Sequence, residues 1–337
     1  MRSRRPASSS RSVRMVAGIR RRALVPFFGL ALLFPVAACG PGSSSKSGTG
    51  PEKSTVNVGY LPAPDFAALF VAKQKGFFRQ AGLTVKTQLE TGGAAAVPKL
   101  AGGSLDFSVN NYVSAIQATA RGVGPEKVVA DAYGAAPGTV GIIVAGDSPI
   151  RRPQDLAGKK VAVNTKGNFA QLEVAAGLKQ YGVTIPESDF AEVPYPQMEL
   201  ALKDGSVDAA LAIEPFITAT GKSLGARMVL DSGAENGPAP DLPISGYVTT
   251  RKFAKENPRT VAAFRQAIEK AQRLVAGDRK LVESILPTYT KISAAMASSI
   301  RLARYPTSVS RARLQRVADL MLQYGYLKSR FDAGSLL

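Results

Sequence analysis

Histidine and tryptophan are absent from this 337-residue chain, and cysteine occurs once. Without histidine there is no Ser-His-Asp or Cys-His catalytic group, no imidazole general base and no histidine-ligated metal site. A single cysteine excludes an intrachain disulfide, a CxxC redox pair and a cysteine-based zinc cluster. Paired carboxylates or a Ser-Lys pair would still be available to an enzyme, whereas metal centres and most acyl-transfer chemistry would not. No metal and no cofactor are expected. Apolar residues make up 45% of the chain, enough to build cores, and the length suits one large domain or two lobes.

Acidic residues are also missing from the start. Arg2, Arg4, Arg5, Arg11, Arg14, Arg20, Arg21 and Arg22 precede the first of them and lead into an apolar run from Ala23 to Ala38. As a helix this run reaches roughly 24 Å, short of a ~30 Å hydrocarbon core, and Pro26, Gly29 and Pro35 interrupt it. A basic stretch, an apolar stretch and small residues before a cut read as a secretion signal over residues 1–38. Its end, Val36-Ala37-Ala38-Cys39-Gly40, resembles the lipobox of bacterial lipoproteins, in which the cysteine is acylated and becomes the new N-terminus. Residues 39–53, GPGSSSKSGTGPEK after the cysteine, then read as a flexible linker. The expected location is the extracytoplasmic face of the cell membrane, reached by secretion and held by the lipid.

The formal charge is +18 for the whole chain and +10 once the eight signal arginines are removed. That excess lies beyond residue 250, on segments with helical spacing. A nucleic-acid partner would explain the charge, but secretion argues against one, and solvated helix faces near an anionic membrane surface account for it better.

Short segments recur about one hundred residues apart. Gly82-Leu83-Thr84-Val85 returns as Gly182-Val183-Thr184-Ile185, Gly103-Ser104-Leu105-Asp106 as Gly205-Ser206-Val207-Asp208, and Val56-Asn57-Val58 as Val161-Ala162-Val163. Hydrophobic spacing around each copy predicts β-α-β-α-β. In the first copy the strands are Thr55–Tyr60, Leu83–Leu89 and Asp106–Val109; in the second they are Lys160–Val163, Phe190–Val193 and Ala209–Ile213. This is a parallel-sheet pattern with right-handed crossovers, and the chain beyond Phe253 is mainly helical. Two α/β lobes of one build imply a hinged, two-lobed molecule.

Open parallel sheets bind ligands beyond the carboxyl ends of their strands, so the loops there supply the candidates. After the first strands come Pro64 and Asp65 in one lobe, Thr165 and Asn168 in the other. Gly92, Gly93 and Ala94 follow a second strand and open a helix; they form either an anion-binding helix start or an ordinary tight turn. Thr165 and Asn168 either cap a helix or donate to a ligand. Asn110, Asn111 and Tyr112 offer amides and a phenol, while Tyr133 and Tyr195 each offer a ring to a ligand or to the core. Glu214 either draws a positive ligand group or serves as a cap or salt bridge. Asp106 and Asp208, at strand starts, are turn residues rather than a catalytic carboxylate pair.

GYLPAPDFAALFVAKQKGFFRQAGL, AGGSLDF, GDSPIRRPQDLAGKKVAVNTKGN, DGSVDAALAIEPF and SGYVTT resemble the substrate-binding lipoproteins of ABC importers for sulfonates, taurine and nitrate. The wider SsuA/THI5-like group includes binders of the pyrimidine precursor of thiamine, and the likeness runs from about Val56 to the C-terminus. The resemblance implies a type II periplasmic-binding-protein fold. Its first lobe would comprise residues 54–142 and 246–337, its second 143–245, with closure about Gly141–Ala145 and Ser245–Thr250. It also implies a monomer that hands a small solute to a permease and its ATPase, without catalysis. Nitrate receptors of the group use histidine and tryptophan contacts, which weakens nitrate as cargo here. The fungal pyrimidine synthases of the superfamily depend on histidine, which weakens that alternative too. An aminosulfonate or a substituted pyrimidine is the expected solute.

Overall fold

A computed structural model describes residues 50–337 except 124–125 and 239. The expected signal segment 1–38, the expected lipidation site Cys39 and most of the expected linker 39–53 lie outside the described residues.

Among the described residues, ten strands form two five-stranded sheets. In chain order they are β1 (Thr55–Tyr60), β2 (Thr84–Leu89), β3 (Phe107–Asn111), β4 (Glu126–Gly134), β5 (Val140–Val144), β6 (Val161–Val163), β7 (Phe190–Glu192), β8 (Ala209–Ile213), β9 (Arg227–Asp231) and β10 (Pro243–Thr250). The helices that bear on the site are α1 (Ala67–Gln74), α2 (Gly93–Ala101), α3 (Tyr112–Ala120), α4 (Phe169–Lys179), α5 (Tyr195–Lys203), α6 (Phe216–Leu224) and α7 (Pro258–Gly277).

The sheets run β2-β1-β3-β10-β4 and β7-β6-β8-β5-β9. Each has three parallel strands from one sequence repeat, then an antiparallel strand, β10 or β5, then a last strand. The repeat is therefore structural. Its two aspartates do equivalent work: Asp106 accepts from the Asn57 N–H at 2.9 Å, and Asp208 from the Lys160 N–H at 2.8 Å. Each ties the start of one strand to its neighbour, far from the carboxyl ends.

The crossings between sheets fall at 135–139 and 232–242, a few residues before the expected boundaries at 142/143 and 245/246. Those boundaries would cut β5 and β10, both buried along their whole length and bonded on two sides. Gly141–Val144 and Ser245–Thr250 are thus sheet interior, and the connecting segments beside them are the candidate hinge. Asp231 clasps both segments, accepting from the Gly138 N–H at 2.7 Å and the Gly233 N–H at 3.0 Å.

Amphipathic spacing lets α7 cover part of the first sheet. Phe264, Ala267, Ile268, Ala271 and Val275 are buried, with Phe264 stacked on Phe107 at 3.9 Å, while Arg265, Lys270 and Arg273 face solvent. These three C-terminal cations thus lie on a solvated helix face. The linker stops sooner than expected: Glu52 accepts from the N–H groups of Arg259 and Thr260 at the start of α7, and Lys53 pairs with Asp106 at 2.7 Å. A carboxylate at a helix N-terminus satisfies donors that have no intrahelical partner, so Gly50–Lys53 belong to the folded body.

Candidate functional site

The carboxyl ends of the parallel strands meet at a cavity of about 60 Å³. One lobe supplies Leu61, Asp65, Phe66, Gly93, Val109, Asn111, Tyr133, Ile244 and Ser245; the other supplies Asn164, Phe169, Tyr195, Ile213 and Glu214; Thr139 comes from a crossing.

Strand register places three of the polar groups. Ser245 of β10 pairs with Asn111 of β3 on one side and Tyr133 of β4 on the other. The row Asn111, Ser245, Tyr133 therefore lies straight across the first sheet. The Ser245 hydroxyl donates to Asp65 Oδ2 at 2.6 Å. Asp65 sits in a one-turn 3₁₀ helix after β1 that is pinned from behind: Tyr289 donates to the Ala63 carbonyl at 3.0 Å and Tyr305 to the Pro64 carbonyl at 3.1 Å. Pro64 itself is buried and shapes this turn without lining the cavity. Burial pushes the Asp65 carboxyl up to about 6, with the Ser245 hydroxyl pulling the other way.

Hydrogen bonds span the cleft. Asn111 caps α3 by accepting from the Ser114 N–H at 2.8 Å, and its amide donates to Asn168 Oδ1 at 3.0 Å. Asn168 stands at the start of α4 but does not cap it with its side chain; its amide instead donates to Ser114 Oγ at 3.0 Å. Gln117 completes the contact by donating to the Gly167 carbonyl at 2.9 Å. Gly93 opens α2 against Asn111 and Ser114, and Gly92 faces Asn164 and Thr165 of the other lobe. Thr165 and Ala94 stand beside the cavity without lining it.

Three candidates have other work. Asn110 points to the opposite side of β3 from Asn111, as strand alternation requires, and donates to buried Glu126 at 2.8 Å. Tyr112 is buried too, and its hydroxyl donates to Asp131 at 2.7 Å. Glu214 lines the cavity, yet it accepts from Thr218 Oγ1 at 2.7 Å, from the Thr218 N–H at 3.2 Å and from the Arg301 N–H at 3.0 Å. It holds the first turn of α6 and ties it to the C-terminal segment, so its lone pairs are largely used.

Tyr133 and Tyr195 are both at the cavity. The Tyr133 hydroxyl accepts from the Ala303 N–H at 2.9 Å, which leaves its proton to donate. Tyr195 stacks on Phe216 at 5.7 Å, and burial raises its pKa. Sequence reasoning missed Asn164, Phe66, Phe169, Thr139 and Ser245. Asn164 opens a loop already singled out, whereas Ser245 enters only through a strand inserted antiparallel from far along the chain.

Two matching α/β sheets with a cleft at their strand ends define the periplasmic-binding-protein fold, and solved structures agree. The alkanesulfonate-binding protein SsuA of Xanthomonas axonopodis pv. citri, bound to MOPS, superposes with a TM-score of 0.69 at 20% identity, covering 85% of this chain and 98% of that one. The chain belongs to the NMT1/THI5 like family, whose model matches residues 63–278. Among curated relatives, a "Putative aliphatic sulfonates-binding protein" of Bacillus subtilis is 25% identical over 299 residues, 83% of this chain and 86% of the relative. A 4-amino-5-hydroxymethyl-2-methylpyrimidine phosphate synthase of Saccharomyces cerevisiae is 26% identical over 237 residues, 67% of this chain and 68% of the relative.

Proposed function

We propose that this chain is the solute-binding subunit of an ABC importer, working outside the cytoplasm and without catalysis. The carrying observation is the cavity, lined from both lobes and bridged by Asn111–Asn168 and Gln117–Gly167. A solute held there touches both lobes and stabilises closure, and parting the lobes releases it. The sulfonate-binding relative supports a small polar organic solute, and the pyrimidine-synthase relative supports a heterocycle of similar size. Thermal-shift screening of the full chain against organic sulfonates, amines, amino acids and pyrimidines tests the reading. A solute at one hundred times its Kd adds about 2.7 kcal/mol of stability, an easily read rise in melting temperature. No shift with any class would overturn it.

The anchor is a separate expectation, supported by the lipobox pattern Val36-Ala37-Ala38-Cys39-Gly40. Cys39→Ser is expected to move the protein from the membrane fraction to the soluble extracytoplasmic fraction with its melting temperature unchanged. A mutant that is processed normally and still sediments with membranes would rule the anchor out.

A further inference from the structure

Resting on that solute-binding reading, we infer that the cleft selects a small organic cation or zwitterion, whose protonated nitrogen sits against Asp65. The charges at the cavity carry this. Its lining residues include two carboxylates, Asp65 and Glu214, and neither a lysine nor an arginine. Glu214 is committed to Thr218 and Arg301. Asp65 is not: its one side-chain partner among the described residues is the neutral Ser245 hydroxyl, on one oxygen. A half-buried carboxylate with no cation beside it costs desolvation energy that an arriving positive charge recovers.

The rings around it favour the same class. Phe66, Tyr133, Phe169 and Tyr195 all border the cavity, and aromatic faces attract ammonium and amidinium groups, most strongly where water is excluded. A bare anion would meet the Asp65 charge with no compensating cation. Donors do exist at the other edge, where the start of α2 at Gly93 and the Asn164 side chain face the cavity. They suit an accepting group on the same ligand, so a zwitterion fits and a plain anion does not.

Calorimetry on the full chain with ethanolamine, choline, taurine and ethanesulfonate decides it. Taurine and ethanesulfonate differ by one amino group, so that pair isolates the charge. At least one of the three nitrogen-bearing probes is expected to bind ten-fold or more tighter than ethanesulfonate. Asp65→Asn is expected to abolish that preference, and the Ser245 hydroxyl can still donate to the amide oxygen, which keeps the turn intact. Asp208→Asn, at the opposite ends of the strands, serves as the contrast: it is expected to lower the melting temperature and leave the preference between probes unchanged. Ethanesulfonate binding as well as taurine, or a preference that survives Asp65→Asn in a normally melting protein, would overturn the inference. If none of the four binds, the inference falls. The thermal-shift screen then separates the cases: an anionic or neutral hit leaves the solute-binding reading standing, and no hit removes both.

Discussion

Glu173→Gln is expected to raise the melting temperature by several degrees at pH 8 and to change it little at pH 4.5. Glu173 lies on α4 with no exposed surface, and neither carboxyl oxygen has a hydrogen-bond partner among the described residues. Burial lifts its pKa from 4.5 to about 8. The folded protein thus holds this proton more tightly than the unfolded chain, and stability falls as pH rises from 4.5 towards 8. Between those values the loss is at most about 5 kcal/mol. Glutamine removes the charge without forfeiting a bond, so its benefit grows over the same window. Glu126, raised to about 8 by burial, and Asp65 and Asp131, raised to about 6 by burial, act in the same direction. The parent protein is accordingly expected to melt higher at pH 5 than at pH 8. Equal effects of Glu173→Gln at both pH values would show that the carboxyl is ionised or solvated throughout.

Gly233→Ala is expected to cost more than 3 kcal/mol, beyond the ordinary range for overpacking. The added Cβ would collide with the Ala136 carbonyl oxygen and stand 2.7 Å from its carbon and 3.1 Å from the Ala136 nitrogen. All of these are backbone atoms and cannot rotate away. The two crossings touch here, so the methyl group must also push the lobes apart at the candidate hinge. Gly103→Ala is the control. Gly103 has φ +76° with nothing within 4 Å of a Cβ, so only left-handed strain of about 1–2 kcal/mol is lost. Denaturant titration of both variants, with small-angle scattering of the first, reads stability and lobe spacing. If Gly233→Ala proves as mild as Gly103→Ala, the crossings have room to separate and do not set the lobe geometry.

Much of this architecture can be read from the chain because local patterns produce it. Repeated Gly-x-Thr and Gly-Ser-x-Asp signals sit at turns before β2, β3 and β8, and the alternation at Val56 and Val58 already defines a buried face. What cannot be read depends on register. Neither the insertion of β10 between β3 and β4 nor that of β5 between β8 and β9 leaves a periodic trace. Ser245 therefore stays out of sight in the sequence, as does the alternation that turns Asn110 towards Glu126 and Asn111 towards the cavity. Which carboxylate is left for the cavity is hidden in the sequence for a related reason. Glu214 and Asp65 both follow strands, and only the structure shows that Glu214 is held by Thr218 and Arg301 whereas Asp65 accepts from the Ser245 hydroxyl alone among the described side chains.

The same insertion sets an order of assembly for a chain that emerges from its N-terminus. All strands of the second sheet lie between Val140 and Asp231 and can pair as soon as that stretch is out. The first sheet cannot close then. Its strands β3 and β4 wait with facing edges unpaired until Pro243–Thr250 arrives, and the turn that presents Asp65 waits longer still, for Tyr289 and Tyr305. Unpaired edges invite pairing with other chains, and long-range closure of this kind is slow. Until then, the open slot between β3 and β4 is where a holding chaperone would have most to protect.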